Sequence, residues 1–247
     1  MEAVGGAAGH AAGEVPVIPY VPSAADDQPP KGSAVHHPSA LRNRGPIARK
    51  LHQVLGAVDP PSPSARYAVE IGSGTGAHLE LLRDVFPHLT WQPSEYIPAA
   101  VGGGRPFDGN VERTLSQIDA FGSKVARNVQ PAVNVDASLP FDKWPGVVVG
   151  MERATTLVYA SNVTHISPWA VTQGIMASAD RLLGPGGRLV IYGPFKKNGV
   201  CTTDSNAAFD VSLKARDPRW GYRDIESEIM PEAERRGLEL LECHDMP

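Results

Sequence analysis

Glu70, Glu95 and Asp136 are acidic residues set in or just beyond three short apolar runs, and Glu70 stands two positions before a glycine-rich stretch in the segment AVEIGSGTGAH. Glycines 72, 74 and 76 fall where a buried strand meets a helix, so the backbone can turn sharply and approach a ligand with no Cβ in the way. Such a turn suits a cofactor built on a nucleoside. The glycines do not choose the cofactor, because Gly72, Gly74 and Ala77 also satisfy the dinucleotide fingerprint GxGxxG/A. A tight turn without any ligand is the plainer reading of the same residues.

Three side chains narrow the choice. A carboxylate at Glu70 can face an ammonium group but would repel a pyrophosphate, which favours S-adenosylmethionine (SAM) over NAD. Glu95, 19 residues past Gly76, can accept hydrogen bonds from both ribose hydroxyls, a role common to the two cofactors. Asp136 and Ala137, in NVDASLPF, can read the adenine amino group and ring nitrogen through a carboxylate and a backbone amide. With Ser73 and Thr75 of the turn, these residues form the expected cofactor set. An exposed loop acid at Glu95 and a turn former at Asp136 are the bland alternatives.

Methyl transfer from a sulfonium requires positioning, exclusion of water and, for O or N acceptors, management of a proton; it needs no metal. The segment SNVTHISPW follows a predicted strand, which puts Asn162 and His165 at the methionine end of such a cofactor. His165 is the expected general base and Asn162 a holder of the acceptor or of the methionine carboxylate. A histidine that merely ties down its loop, and an asparagine that caps or turns, are the competing roles. Arg216, Trp220 and Arg223, with Asp217 and Asp224, form a polar and aromatic cluster suited to orienting a small acceptor, or else a structural salt-bridge knot. Tyr192 and Asn206 are further candidates for the substrate side.

The elements that must carry these residues alternate. A helical spacing of Ile47, Leu51, Val54 and Leu55 from about Leu41 ends at the prolines 60, 61 and 63. Strands are expected at 67–71, 89–92, 132–135, 154–160 and 188–192, with a helix through Leu79, Leu82, Val85 and Phe86 after the first. A Gly-rich surface loop spans 101–110, before a helix containing Leu115, Ile118 and Val125. Helices at 206–213 and 225–236 and a last strand at 238–241 follow. This order implies an α/β fold with a doubly wound, mostly parallel, Rossmann-like sheet that binds ligands at the carboxyl ends of its strands.

Residues 1–38 are rich in Ala, Gly, Pro and His without apolar periodicity and read as a disordered tail preceding one domain at 39–247. A net charge of −4, with no Lys/Arg block, gives no footprint for nucleic acid. The two cysteines, far apart, point to neither a disulfide scaffold nor a zinc site, and suit a reducing cytoplasmic or nuclear setting. No apolar run is long enough for a membrane span.

These motifs resemble the class I SAM-dependent methyltransferases, on EIGSGTG and on LLGPGG before the fifth strand. More narrowly the chain is similar to the methyltransferase-like 26 group, a domain of unknown function (938), on HPSALRNRGPI, LTWQPSEY, SNVTHISPW, IYGPFKKNG and RDPRWGYRD. The resemblance implies a methyltransferase sheet of seven strands, of which the last would follow Met246 and Pro247. It also implies an N-terminal segment folded over the cofactor, where Asn43 and Arg44 would bind, Arg44 pairing with the SAM carboxylate. The leading expectation is a SAM-dependent methyltransferase acting on a small-molecule acceptor that the sequence does not identify. A SAM-binding sensor or adaptor without turnover, and an NAD(P)-dependent oxidoreductase, are the alternatives. Oligomeric state is not encoded in any pattern found.

Overall fold

Strands buried on both faces read as continuous apolar runs, and two segments of this chain have that character. YAVEI at Tyr67–Ile71 (β1) has four consecutive buried residues, and TTLVYAS at Thr155–Ser161 (β4) is buried throughout. In the computed structural model, which describes residues 36–56, 66–98 and 111–246, these two strands lie side by side at the centre of a parallel sheet. Thr90–Glu95 (β2) and Val133–Asn134 (β3) extend it on one side, and Leu183–Tyr192 (β5) on the other, in the order β3-β2-β1-β4-β5. The chain reverses its direction of travel between β1 and β4, which places the crevice for a ligand beyond their carboxyl ends.

Helices cover both faces. Pro38–Gly56 (α1), Leu79–Val85 (α2) and Val111–Phe121 (α3) pack on the face that carries Ala68, Leu157 and Tyr159. Gly146–Val149 (α4) and Trp169–Leu182 (α5) cover the face that carries Val69, Val158 and Ala160. The α/β doubly wound expectation is therefore what the structure contains.

A second, smaller sheet follows β5. Phe195–Lys197 (β6) and Val200–Cys201 (β7) form a hairpin over the Asn-Gly turn at 198–199, and β6 also pairs in parallel with Arg223–Asp224 (β8). The intervening helix Asp204–Arg216 (α6) starts at Thr203, whose hydroxyl accepts a hydrogen bond from the Asn206 amide. A π-turn at Ile225–Ile229 leads into Met230–Arg235 (α7).

Several boundaries differ from those read in the sequence. α1 begins at Pro38, a residue tolerated in a first turn because that N–H needs no helical partner. α3 stops at Phe121, leaving Val125 outside it and exposed. The expected strand at 238–241 has no ladder among the described residues, and Leu240 and Leu241 are exposed; an apolar alternation makes a strand only where another strand pairs with it. A cavity of about 900 Å³ runs beside β5 between α1 and this last segment, lined by Leu51, Val190, Tyr192 and Leu240, and reaches Asn162. The Gly-rich loop at 101–110 and residues 1–35 of the expected tail lie outside the described residues. Of that tail, residues 36–38 are described, and His36 is buried.

No helix among the described residues is long and apolar enough to cross a membrane.

Candidate functional site

β1 delivers Glu70 to the carboxyl end of the sheet, 1% exposed, and the chain then turns through Gly72 at φ 74°. A Cβ on Gly72 would stand 2.6 Å from Val163 Cγ2, so both the dihedral and the crowding require glycine. Ser73, buried, donates its hydroxyl to Glu70 Oε2 at 2.8 Å and its amide to the Ser94 carbonyl at 2.8 Å, which joins the turn to β2. Glu70 Oε1 has no partner. Burial, opposed by the Ser73 hydroxyl and reinforced by the Glu95 charge, pushes the Glu70 carboxyl up to about 7.

β2 ends at Glu95, whose carboxylate receives the Gly74 amide at 2.6 Å and the Tyr96 amide at 3.0 Å. Burial raises the pKa of its carboxyl, and these two backbone donors oppose the rise. Glu95 thus bridges the strand end and the exposed middle of the glycine turn, and is not a free loop acid. Thr75, half-buried, bonds His36 Nδ1 through its hydroxyl at 2.8 Å. Gly76 closes the turn by donating its amide to the Ser73 carbonyl at 2.8 Å. Asp136 follows β3 and accepts the amide and hydroxyl of Ser138 at 2.9 and 2.6 Å, so it does form a turn, with Ala137 buried next to it.

Asn162 leaves β4 at φ 57°, an uncommon conformation for a side-chain-bearing residue, and its amide bonds the Tyr192 carbonyl of β5 at 2.8 Å. His165 lies in the 3-10 turn Thr164–Ile166, buried between Phe209 and Tyr222 at ring separations of 6.2 and 6.1 Å. Its Nδ1 has no partner and faces Gly193, where a Cβ would stand 3.4 Å away. Burial, followed by the nearby Arg223 charge, lowers His165 to about 4 and keeps the ring neutral.

The late polar cluster divides. Arg223 is buried and donates to the carbonyls of Thr164, Ser167 and Arg219 at 3.3, 2.6 and 3.0 Å, with its guanidinium 5.6 Å from the Trp169 ring. It clamps the loop that carries His165. Asn206 is tied to the Thr202 hydroxyl at 2.8 Å and receives the Tyr222 hydroxyl at 3.3 Å, on the same side as His165. Tyr192 ends β5, half-buried, and its phenol is raised mainly by burial. Trp220 is half-buried in the turn begun by Asp217, and Arg216 is exposed in the last turn of α6.

In α1, Asn43 is half-buried. Arg44 is buried and bonds Glu80 Oε2 at 2.6 Å through Nη1. Its Nε has no partner.

Sequence reasoning missed His36, His78, Tyr159, Phe209 and Tyr222. His78 follows the glycine turn and Tyr222 lies within RDPRWGYRD, both visible signals; His36, Tyr159 and Phe209 stand in no motif, because only packing brings them near these residues.

Solved structures with this fold include an O-methyltransferase family protein from Burkholderia thailandensis, at a TM-score of 0.54 and 15% identity over 82% of this chain and 55% of the other. An O-methyltransferase family 2 protein from Planctomyces limnophilus, in complex with apigenin, gives 0.55 and 16% over 83% and 54%. PigF with S-adenosylhomocysteine (SAH) gives 0.53 and 14% over 81% and 57%. The chain spans about half the length of these proteins, and at such identities the likeness is one of fold. A family profile described as a protein of unknown function, DUF938, matches residues 34–247, and the chain belongs to that family.

Proposed function

We propose that this chain is a SAM-dependent methyltransferase acting on a small-molecule acceptor, within the family as a member of the methyltransferase-like 26 group. The observation that carries the proposal is Glu70: a fully buried carboxyl beside the glycine turn with one oxygen unpaired. A buried carboxylate calls for a cation, and the α-ammonium of SAM is one, whereas a dinucleotide pyrophosphate is an anion. The residues present fit the group. Glu70 would receive the ammonium, Glu95 the ribose hydroxyls, Asp136 and the Ala137 amide the adenine, and residues 72–76 the nucleoside backbone. Asn43, Arg44 and Asn162 would stand at the methionine end.

When bound, SAM supplies an electrophilic methyl group on a sulfonium. Asn162 and Gly193 border the space beyond β4 and β5 where an acceptor would lie, with Tyr192 and Asn206 beside it. His165 is held neutral by burial, so one of its ring nitrogens keeps a lone pair. An oxygen or nitrogen becomes strongly acidic as it gains a methyl group, so even a weakly basic imidazole can take its proton. Arg223 acts by fixing the His165 loop, and Arg216 and Trp220, in the same segment, are proposed contacts of the acceptor. The neighbour bound to apigenin supports an acceptor of small-molecule size.

The test is calorimetric titration of the purified protein with SAM, SAH and NADH, followed by methyl-transfer assays on metabolite extracts. Binding of the two sulfur nucleosides, weakened by Glu95→Ala, is the expected result. Saturable NADH binding with no response to SAM would overturn the reading, and SAM binding without turnover would favour the sensor or adaptor alternative.

A further inference from the structure

Between the central sheet and the layer made by α1 and α2, several buried polar atoms lack a hydrogen-bond partner: Glu70 Oε1, His78 Nε2, Arg44 Nε and His36 Nε2. The hydroxyls of Tyr159 and Ser161, two residues apart on the same face of β4, have no partner besides each other. Such atoms are rare in folded proteins, and several in one place call for partners beyond the described residues.

Their arrangement says what the partner is. Glu70 and Tyr159 are register neighbours on adjacent strands and face the same layer. His78, at the start of α2, sets its ring edge-on to Tyr159 at 5.9 Å. Arg44 of α1 is close enough to lower the basicity of His78, as is His36. Glu70 offers an acceptor and a negative charge. Beside it, Tyr159, whose phenol burial keeps protonated, offers O–H, while His78 offers N–H and Arg44, paired with Glu80 through Nη1, keeps its Nε N–H free. One acidic and one basic group of unpartnered atoms in this buried cluster match the ammonium and carboxylate of an α-amino acid.

We propose that His78 and Tyr159, with Arg44, hold the carboxylate of the cofactor's amino-acid end while Glu70 holds its ammonium, so that this pocket selects an adenosyl amino acid over the bare nucleoside. The inference rests on the SAM reading above and adds His78 and Tyr159 to the residues that bind it. His78 is lowered to about 4, mainly by burial, and so meets the carboxylate as a neutral donor. A carboxylate arriving beside it raises that value, which gives a readout separate from affinity.

The experiment uses the full chain and two probes, SAH and 5′-methylthioadenosine, which shares the sulfur nucleoside but has no amino-acid end. The wild-type protein is expected to bind SAH at least about tenfold more tightly than methylthioadenosine. His78→Phe keeps the ring against Tyr159 and removes the donor; it should weaken SAH by about tenfold and leave methylthioadenosine unchanged. Tyr159→Phe, which removes only a hydroxyl and tests the pocket should His78→Phe fail to fold, should show the same split. The His78 imidazole, followed by NMR, should titrate higher with SAH than with methylthioadenosine. A parallel loss of both ligands, no loss of either, or equal wild-type affinities would overturn the inference and leave the cofactor reading standing. A protein that binds neither ligand would sink both.

Discussion

Glu70 sets up a linkage between pH, stability and ligand that can be worked through. Its carboxyl is raised from 4.5 to about 7 in the folded, ligand-free chain, chiefly by burial. The folded protein therefore holds this proton more tightly than the unfolded chain does. Stability contributed by the protonated carboxyl is fully present below about 4.5 and is lost as pH rises toward 7. The difference corresponds to roughly 3 kcal/mol of destabilisation by the buried carboxylate above pH 7. Glu70→Gln removes the charge but keeps an acceptor for Ser73. It should stabilise the ligand-free protein at pH 8 by up to about 3 kcal/mol and change little at pH 4.5, as read by urea denaturation at both values. A cationic ligand selects the ionised form. SAH affinity of the wild type should therefore rise about tenfold from pH 6 to pH 8, with proton release visible as a buffer-dependent binding enthalpy. In Glu70→Gln the affinity should be low and its pH dependence gone. A Gln variant no more stable than wild type at pH 8, or one that retains the pH dependence of binding, would refute the reasoning.

Two further outcomes follow from packing. At Gly174 in α5 a Cβ would lie 1.7 Å from the Ala137 carbonyl oxygen, so Gly174→Ala must push the helix off the loop that carries Asp136. Equilibrium denaturation should show a loss of about 2–3 kcal/mol, and unchanged stability would contradict the close approach. Arg223→Leu removes three donors from the His165 loop and the charge that helps lower His165. It should cost about 2–4 kcal/mol and let the His165 imidazole titrate above 4, observable by NMR; an unmoved titration would show that the guanidinium does not act on the ring.

How much could be read beforehand depended on whether a signal is local. β1, the glycine turn and β4 were legible because a parallel strand buried on both faces must be a run of apolar residues, and because a backbone at φ 74° followed by a close neighbour admits only glycine. Glu70, Glu95 and Asp136 were legible because topology sends every strand's carboxyl end to the same crevice. The Asn-Gly hairpin at 198–199 is equally local, but strands of three and two residues are too short to show an alternation.

Other features exist only in three dimensions. The segment at 238–241 alternates like a strand, yet a ladder requires an adjacent edge, which sequence spacing does not supply. His36 sits in a stretch whose composition favours disorder, and is held by Thr75 and by the Phe121 ring at 4.4 Å, groups about 40 and 85 residues further along the chain. For Arg223 the sequence left an acceptor-orienting cation and a structural knot both open, and only the fold shows the three carbonyls around its guanidinium. Sequence alone determined the sheet, the turn and the two acids, Glu70 and Glu95, that bond to it, because each follows from periodicity or from a backbone dihedral. Which buried donors meet those acids was decided by the packing of α1 and α2 over β4, because contact between distant residues is a property of the folded chain and not of any local pattern.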